Sequence, residues 1–201
     1  STIITERKQA EERAYRLAHQ DALTGLPNRL AFRRRFAKER ERAARDAGHL
    51  TLMLVDIDHF KQVNDSLGHA VGDELLNEVA RRLQHTVRKR DLVARLGGDE
   101  FAVLSGSADR PADFAGLAER LVRTLGRPYR LRGNEVRSGV SIGLAVYPDD
   151  AADIDGLLAN ADLALYAAKE AGRDGWRMFD PSLQEHARTC RELDHDLRRA
   201  M

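Results

Sequence analysis

The sequence has a single cysteine, Cys190, among 201 residues, so no disulfide can form within the chain. Such sparse use of cysteine is typical of proteins from a reducing compartment. No apolar run approaches the roughly 20 residues that span a bilayer, and no signal peptide opens the chain. The sequence therefore predicts a cytoplasmic domain with no membrane contact of its own, although a longer parent protein could tether it.

An excess of charge of one sign is lacking too, since 33 Lys and Arg face 32 Asp and Glu. A strong basic field is the usual footprint of nucleic-acid binding, so its absence argues against a nucleic-acid partner and against a polymerase. The hydrophobic fraction of 42% is sufficient for one folded domain. We expect residues 21–180 to form that domain, between helical linkers over residues 1–20 and 181–201.

The first linker is polar and lacks Gly and Pro, and Ile3, Ala10 and Leu17 recur in it at seven-residue spacing. This spacing is typical of a helix that pairs with a copy of itself in a coiled coil. Because the series covers barely three heptads, a solvated helix fits the pattern equally well. Gly25 and Pro27 then interrupt the helical pattern.

Between the linkers, short apolar segments alternate with amphipathic ones. The predicted strands cover residues 50–55, 92–96, 101–104, 136–147 and 176–179, and the predicted helices cover about residues 29–45, 73–88, 111–126 and 153–171. The first strand is apolar throughout, as in a strand that is buried on both faces. The fourth alternates, with Val140, Ile142, Leu144 and Val146 on one face, and Pro148 ends it. The order predicts an α/β (α+β) fold with a mixed, mainly antiparallel five-stranded sheet flanked by helices.

Two pairs of acids occur where predicted strands end. Asp56 and Asp58 close the first strand, whereas Asp99 and Glu100 follow two glycines at the tip of a predicted hairpin. If the first strand lies beside the hairpin, the carboxylates converge and raise each other's pKa unless a cation joins them. Mg²⁺ suits such a place because it prefers oxygen ligands. The alternative for an acidic turn is simple solvation.

Basic and polar side chains provide possible partners for a nucleotide. Lys169 and Arg173 are four residues apart on one helix face and could grip a polyphosphate, or simply end a solvated helix. Asn64 and Asp73 could bind the edge of a base, but Asp73 fits equally well as a first-turn acid that complements the helix dipole. Lys61 follows the end of the strand that Asp56 closes, and His69 lies further along the same segment, although a lone histidine is more often a surface residue than a ligand.

Several motifs resemble, in order and spacing, those of the GGDEF diguanylate cyclases. The signature is Arg95-Leu-Gly-Gly-Asp-Glu-Phe101. The other motifs are DALTGLPNR at 21–29, DIDHFKQVND at 56–65, GHAVGD at 68–73, SIG at 141–143 and ADLALYAAKEAGR at 161–173. The resemblance covers about residues 18–180 and, because several motifs agree, is far more specific than a lone Gly-Gly turn.

This resemblance implies an enzyme with a sheet like that of nucleotidyl cyclases and polymerase palms, which condenses two GTP into cyclic di-GMP with two Mg²⁺ or Mn²⁺ per site. The implied metal ligands are Asp56, Asp99, Glu100 and the Ile57 carbonyl. Asp99 or Glu100 would help to deprotonate the attacking hydroxyl, and Lys61 would stabilise charge in the transition state. The implied substrate contacts are Asn64, His69 and Asp73 for guanine, Gly98 beneath the nucleotide, and Lys61, Lys169 and Arg173 for the phosphates.

The resemblance also implies a homodimer, because each domain holds one GTP and two domains must face each other to form both bonds. Arg88 and Asp91 match the Arg-x-x-Asp motif through which the family binds its product for feedback inhibition, with Arg120 as a helper. From spacing alone, an ordinary surface ion pair is the alternative. A function of another class stays open: a regulatory module that binds GTP or cyclic di-GMP without turnover and controls an attached phosphodiesterase.

The ends of the chain suggest neighbouring domains. Residues 4–8 resemble the exit from a PAS sensor domain, and residues 179–183 and 197–200 resemble the linker into an EAL phosphodiesterase domain. The sequence therefore predicts that the chain is the middle part of a PAS–GGDEF–EAL protein.

Overall fold

The computed structural model describes residues 2–107 and 112–185. Its helices are α1 Thr2–His19, α2 Arg29–Arg45, α3 Phe60–Leu67, α4 His69–Thr86, α5 Ala112–Leu125 and α6 Ile154–Glu170. Its strands are β1 His49–Ile57, β2 Leu92–Gly97, β3 Glu100–Ser107, β4 Tyr129–Leu131, β5 Asn134–Val136, β6 Val140–Tyr147 and β7 Gly175–Met178. Over these residues, no helix combines the length and the apolar character needed to cross a membrane.

Five of the strands form one sheet in the order β2-β3-β1-β6-β7. β1 is antiparallel to both of its neighbours, β2 is antiparallel to β3, and β7 runs parallel to β6. The sheet is therefore mixed and mainly antiparallel, which confirms the predicted fold class. β1 is buried along its whole length after His49, as its apolar run predicted.

Helices cover both faces of this sheet and divide the core into two layers. Met53 and Val55 of β1 pack towards α4 and α5. The intervening side chains, Leu52 and Leu54, pack towards α2 and α6. Strand geometry accounts for this division, because successive side chains point to opposite faces of a sheet.

The predicted strand over residues 136–147 divides into two elements. β5 ends at Val136 and pairs with β4 in a small separate hairpin, whose turn at Arg132 and Gly133 has positive φ angles of 47° and 80°. β6 begins at Val140 and ends before Pro148 as expected. β6 is buried on both of its faces, because it lies next to the centre of a sheet that helices cover on both sides.

The helix predicted over residues 73–88 begins earlier, at His69, and α3 precedes it. Gly72 consequently lies inside α4. A Cβ at Gly72 would be 1.8 Å from Oδ1 of Asn64, so glycine there allows α3 and α4 to approach closely. Asp73 falls in the second turn of α4, whose first turn has no acid, and the interpretation of Asp73 as a first-turn acid was wrong.

The two linkers are described only in part. α1 is helical as predicted, and Tyr15 and Leu17 on it are 64% and 71% exposed. The side chains of Ile3 and Ala10, on which the seven-residue spacing depends, lie outside the described residues. The same holds for the second linker beyond residue 185, including Cys190, while residues 182–185 form a short helical segment.

Gly143 of β6 provides a test of the packing between sheet and helix. A Cβ at this position would lie 2.1 Å from the carbonyl oxygen of Ala161 and 2.3 Å from the amide nitrogen of Leu165, both backbone atoms of α6. We expect Gly143→Ala to lower the free energy of unfolding by about 3 kcal/mol, because α6 must move away from the sheet. Urea denaturation measures this change.

Gly116→Ala is the matched control, because Gly116 lies in α5 with no heavy atom within 4 Å of the added methyl group. Alanine has the higher helix propensity, so this variant should gain up to about 1 kcal/mol. Equal destabilisation of the two variants would contradict the packing of α6 on β6.

Candidate active site

The end of β1 and the turn between β2 and β3 lie side by side at one edge of the sheet. Asp56 pairs with Glu100 across the β1–β3 ladder, and the amide of Ile57 donates to the carbonyl of Asp99 at 3.4 Å. The register confirms that the first strand lies beside the hairpin. Gly97 and Gly98 have φ angles of 141° and 51°, so glycine is required for the turn that presents the acids.

Asp56 is the buried acid of this edge, with only 7% of its surface exposed. Its Oδ1 lies 3.0 Å from Nζ of Lys169, at the end of α6. Burial is the main cause that raises the pKa of Asp56 to about 6, and the negative charges of Asp99 and Glu100 add to it. The hydrogen bond and positive charge of Lys169 oppose this shift. Asp56 is therefore a carboxyl group that requires a nearby cation to stay ionised.

The acids of this edge fit a divalent cation that also binds phosphate and water better than one held by protein ligands alone. Across the described residues, no three His, Cys, Asp or Glu side chains converge tightly enough to hold a metal by themselves. Mg²⁺ does not need such a cage, because it usually binds one or two carboxylates and takes its other ligands from water and phosphate. The ammonium group of Lys169 already supplies the positive charge that Asp56 needs. Asp56, Asp99 and the Ile57 carbonyl could thus hold Mg²⁺ together with a bound nucleotide.

Arg95 connects the signature turn to the start of the domain. Its guanidinium donates to the Gly98 carbonyl at 2.7 and 3.0 Å and to both carboxylate oxygens of Asp21 at 2.9 and 3.1 Å. Burial acts to raise the pKa of Asp21, but hydrogen bonds from Thr24 and Arg95 outweigh it and hold that pKa below its ordinary value. Sequence reasoning assigned neither residue of this ion pair a role, because 74 residues separate them in the chain.

The second acid of the turn has a basic neighbour of its own. Arg29, the first residue of α2, lies 4.0 Å from the Glu100 carboxylate, and both side chains are about half exposed. Such an exposed pair contributes little to stability. Glu100 therefore remains open to solvent, as a group that exchanges protons with a substrate must be.

The residues predicted to bind guanine lie on α3 and α4. Asn64 is half-buried, and its side chain rests against the face of Gly72, so it lies close to Asp73 along α4. Lys61, in the first turn of α3, His69 and Asp73 are exposed. The helices that carry the predicted base-binding residues, α3 and α4, therefore pack against each other beside the end of β1, which α3 directly follows.

The end of α6 presents the two predicted phosphate-binding side chains. The Arg173 amide donates to the Ala168 carbonyl and the Gly172 amide to that of Lys169, the pair of bonds that closes a helix in a Schellman motif. Gly172 has the positive φ that this motif needs. Arg173 and Asp174 also have positive φ, 63° and 45°, at a cost of about 1–2 kcal/mol each.

The predicted product site is a cleft of about 230 Å³ remote from the signature turn. Its lining includes Arg88, Asp91 and Arg120, together with Ser105 of β3. The Asp91 carboxylate accepts hydrogen bonds from the Arg88 amide and from the Ser105 hydroxyl, each at 2.9 Å. Ser105 was not predicted, because only strand pairing brings it next to Asp91. The cleft combines two arginines and an acid, a set suited to phosphate and to a base edge.

Comparisons with known proteins agree with the geometry. The family described as "Diguanylate cyclase, GGDEF domain" matches residues 18–175. The bifunctional diguanylate cyclase/cyclic di-GMP phosphodiesterase MucR of Pseudomonas aeruginosa is 43% identical over 201 residues, all of this chain but 29% of MucR. The cyclic di-GMP phosphodiesterase NbdA of the same organism is 36% identical over 202 residues, with 100% and 26% of the two chains covered. The chain thus spans less than a third of either relative.

A shorter relative, the diguanylate cyclase TpbB of Pseudomonas aeruginosa, is 41% identical over 164 residues, 81% of this chain and 38% of TpbB. The solved structure of the GGDEF domain of TpbB superposes with a TM-score of 0.82 at 38% identity, covering 85% of this chain and 99% of that structure.

The raised pKa of Asp56 predicts how the affinity for Mg²⁺ depends on pH. A carboxyl group with a pKa of about 6 must lose its proton before it can bind the ion. We expect the affinity, measured by calorimetric titration with Mg²⁺ or Mn²⁺, to be constant above about pH 7 and to fall about tenfold per pH unit well below 6. In Lys169→Met the opposing cation is gone, so the midpoint should move to higher pH.

Lys38→Met is the control, because Lys38 is an exposed lysine of α2 away from this edge. Its titration should match that of the unchanged protein. An affinity that stays constant from pH 5 to pH 7.5 would contradict the role of Asp56 in metal binding.

Proposed function

This chain belongs to the GGDEF family of diguanylate cyclase domains, and from that premise we propose that it condenses two GTP into cyclic di-GMP and two pyrophosphates. The observation that carries the proposal is the pairing of Asp56 with Glu100 beside the Gly97-Gly98 turn. This pairing places a buried acid and a solvent-accessible acid at one sheet edge, within reach of Lys169. An acidic edge with an adjacent cation suits the transfer of a nucleotidyl group.

The roles of the side chains follow from their positions. Asp56, Asp99 and the Ile57 carbonyl would hold Mg²⁺, which when bound neutralises phosphate charge and lowers the pKa of the attacking hydroxyl. Glu100 or Asp99 would accept the proton of the 3′-hydroxyl, since both lie in the turn that faces solvent. Asn64 and Asp73 would bind guanine beside His69, and Gly98 would leave room for the nucleotide.

Lys169 would exchange partners during the reaction cycle. In the described structure its ammonium group neutralises Asp56. Where Asp56 and Asp99 would hold a divalent cation, Lys169 would bind phosphate next to Arg173. Lys61, at the start of α3, would stabilise the charge that develops on the phosphate. Both lysines would lower the activation free energy by positioning charge near the phosphates rather than by forming a covalent bond.

The structure of cyclic di-GMP limits how many copies of the domain can act together. One domain presents one such edge, whereas cyclic di-GMP contains two equivalent phosphodiester bonds. We propose that two copies of the domain face each other, with one GTP bound to each, so that each 3′-hydroxyl attacks the α-phosphate on the opposite domain. The catalyst would therefore be a homodimer, and the exposed helix α1 is suited to bring two copies together.

The proposal extends to regulation and to the wider protein. The cleft at Arg88 and Asp91 would bind the product and inhibit further synthesis. Because MucR joins cyclase and phosphodiesterase in one protein and the chain covers only 29% of it, an EAL phosphodiesterase neighbour is proposed for this chain as well. The proposed PAS neighbour rests only on the resemblance of residues 4–8. The same context favours the second candidate function, a module that binds GTP or cyclic di-GMP and controls a phosphodiesterase without turnover.

Incubation of the purified domain with GTP and Mg²⁺, followed by chromatography, tests the proposal directly. We expect cyclic di-GMP to form, with a specific activity that rises with protein concentration as dimers assemble. Asp99→Ala should abolish product formation because a ligand of the metal and a possible proton acceptor is lost.

The control for this experiment is Asp149→Ala, which removes an exposed acid near the opposite end of β6 and should leave the rate unchanged. Binding of GTP without product at any protein concentration would exclude catalysis and favour the regulatory module instead.

Arg88→Ala tests the product site independently. We expect the initial rate to stay close to that of the unchanged domain, while the concentration of cyclic di-GMP needed for half inhibition rises at least about tenfold, as the loss of a charged contact predicts. Lys89→Ala, a neighbour in the same turn that does not line the cleft, should keep the original inhibition curve. An unchanged curve for Arg88→Ala would refute this site.

A further inference from the structure

Asp58 follows Asp56 by two residues, yet its carboxylate is used in a different way. It is 4% exposed, and each of its oxygens accepts one hydrogen bond. Oδ1 accepts from the Ser141 hydroxyl at 2.7 Å, and Oδ2 accepts from the backbone amide of Asp174 at 2.9 Å. Its two donors come from β6 and from the turn before β7, so this one carboxylate joins three separate segments of the chain.

The main chain of Asp58 is held as firmly as its side chain. Its amide donates to the Gly139 carbonyl at 3.0 Å, and its carbonyl accepts from the Ser138 hydroxyl at 2.8 Å. Four hydrogen bonds therefore fix the residue in a buried position. A carboxylate held in this way cannot turn towards a ligand without leaving its donors unpaired inside the protein.

The turn that Asp58 holds is the one that carries Arg173. The Arg173 amide is bonded back to α6 through the Ala168 carbonyl, and the next amide, that of Asp174, is bonded to Asp58. Arg173 is thus tied on both sides while it and Asp174 adopt the left-handed conformation that such residues rarely take. Its side chain is exposed and has no ion pair among the described residues. The backbone of this turn therefore sets the place and direction in which the Arg173 side chain leaves the main chain.

We propose that Asp58 is a positioning residue that aims Arg173 at the phosphates of the nucleotide, an inference that rests on the proposed function. The Asp58 carboxylate receives the Asp174 amide and so keeps the strained turn closed over the end of β1. Lys169 and Arg173 then remain on the same side as Asp56, to which Lys169 is paired. Asp58 itself touches neither substrate nor metal in this assignment.

Two substitutions of Asp58, to asparagine and to alanine, distinguish a positioning role from a role as a metal ligand. In Asp58→Asn, the amide oxygen can still accept from Asp174, and the amide nitrogen can donate to the Ser141 hydroxyl, which then rotates to accept. Asp58→Ala loses both bonds and leaves two donors unpaired. A metal ligand would not tolerate asparagine in this way, because the negative charge that attracts the ion is lost.

The binding experiment uses 3′-deoxy-GTP with Mg²⁺, since this nucleotide lacks the attacking hydroxyl and cannot turn over. Calorimetric titration should give Asp58→Asn an affinity close to that of the unchanged domain. Asp58→Ala and Arg173→Ala should each bind at least about tenfold more weakly, the loss expected for one charged contact. The double variant should bind no more weakly than Arg173→Ala alone, because Asp58 acts through Arg173.

Ser138→Ala is the matched control, because it removes a buried hydrogen bond to the carbonyl of Asp58 and leaves the carboxylate in place. Its affinity should match that of the unchanged domain, and circular dichroism should show every variant to be folded. Losses that add in the double variant, or an Asp58→Asn variant as weak as Asp58→Ala, would overturn the inference.

Exchange of the Asp174 amide proton, followed by NMR without nucleotide, tests the positioning apart from the proposed function. This proton should be protected in the unchanged domain and in Asp58→Asn, and should exchange at least about tenfold faster in Asp58→Ala. Equal rates in all three proteins would overturn the inference even if the domain makes cyclic di-GMP. An unchanged domain that bound no 3′-deoxy-GTP would instead overturn the proposed function and, with it, the link from Arg173 to phosphate.

Discussion

The double pairing of β1 is the constraint on which the rest of the structure depends. β1 is hydrogen-bonded to β3 on one side and to β6 on the other, and both ladders are antiparallel. Its last residues therefore lie next to the first residues of β3 and of β6. The acidic turn before β3 and the serine-containing start of β6 arrive at the same edge as Asp56 and Asp58. A shift of one residue in either ladder would turn these side chains to the opposite face.

Two buried carboxylates lie at this edge, and their negative charges are compensated by different kinds of partner. Asp58 accepts one hydrogen bond on each oxygen from fixed donors and needs nothing further. Asp56 has a lysine on a long flexible side chain as its partner, and its pKa is raised to about 6 by burial and by its acidic neighbours. A carboxylate that is only loosely compensated can exchange one cation for another. The difference in partners, not in residue type, separates a structural acid from a candidate metal ligand.

Contacts between distant parts of the chain hold the loops of the site in place. Arg95 ties the Gly98 carbonyl to Asp21, so the turn that carries the acids is connected to the segment that follows α1. Ser105 ties Asp91 to β3, the strand that begins at that same turn. The β2–β3 hairpin therefore connects the segment after α1, the acidic turn and the cleft at Asp91.

Local pattern determined the motifs of this protein and most of its elements, although it did not predict α3 and β4. Apolar runs, turn glycines and motif spacing predicted all five strands of the main sheet, the fold class, and the acids at their ends, because these depend on neighbours in sequence. The tertiary structure decided which segments contact each other and which faces are buried, and the sequence pattern contains neither. The helix α4 includes Gly72, where glycine leaves room for Asn64 of α3, and β6 is buried on both faces because helices cover both sides of the sheet. The pairing of Lys169 with Asp56 and the role of Asp58 depend on distances between segments more than 80 residues apart, which only the folded sheet sets.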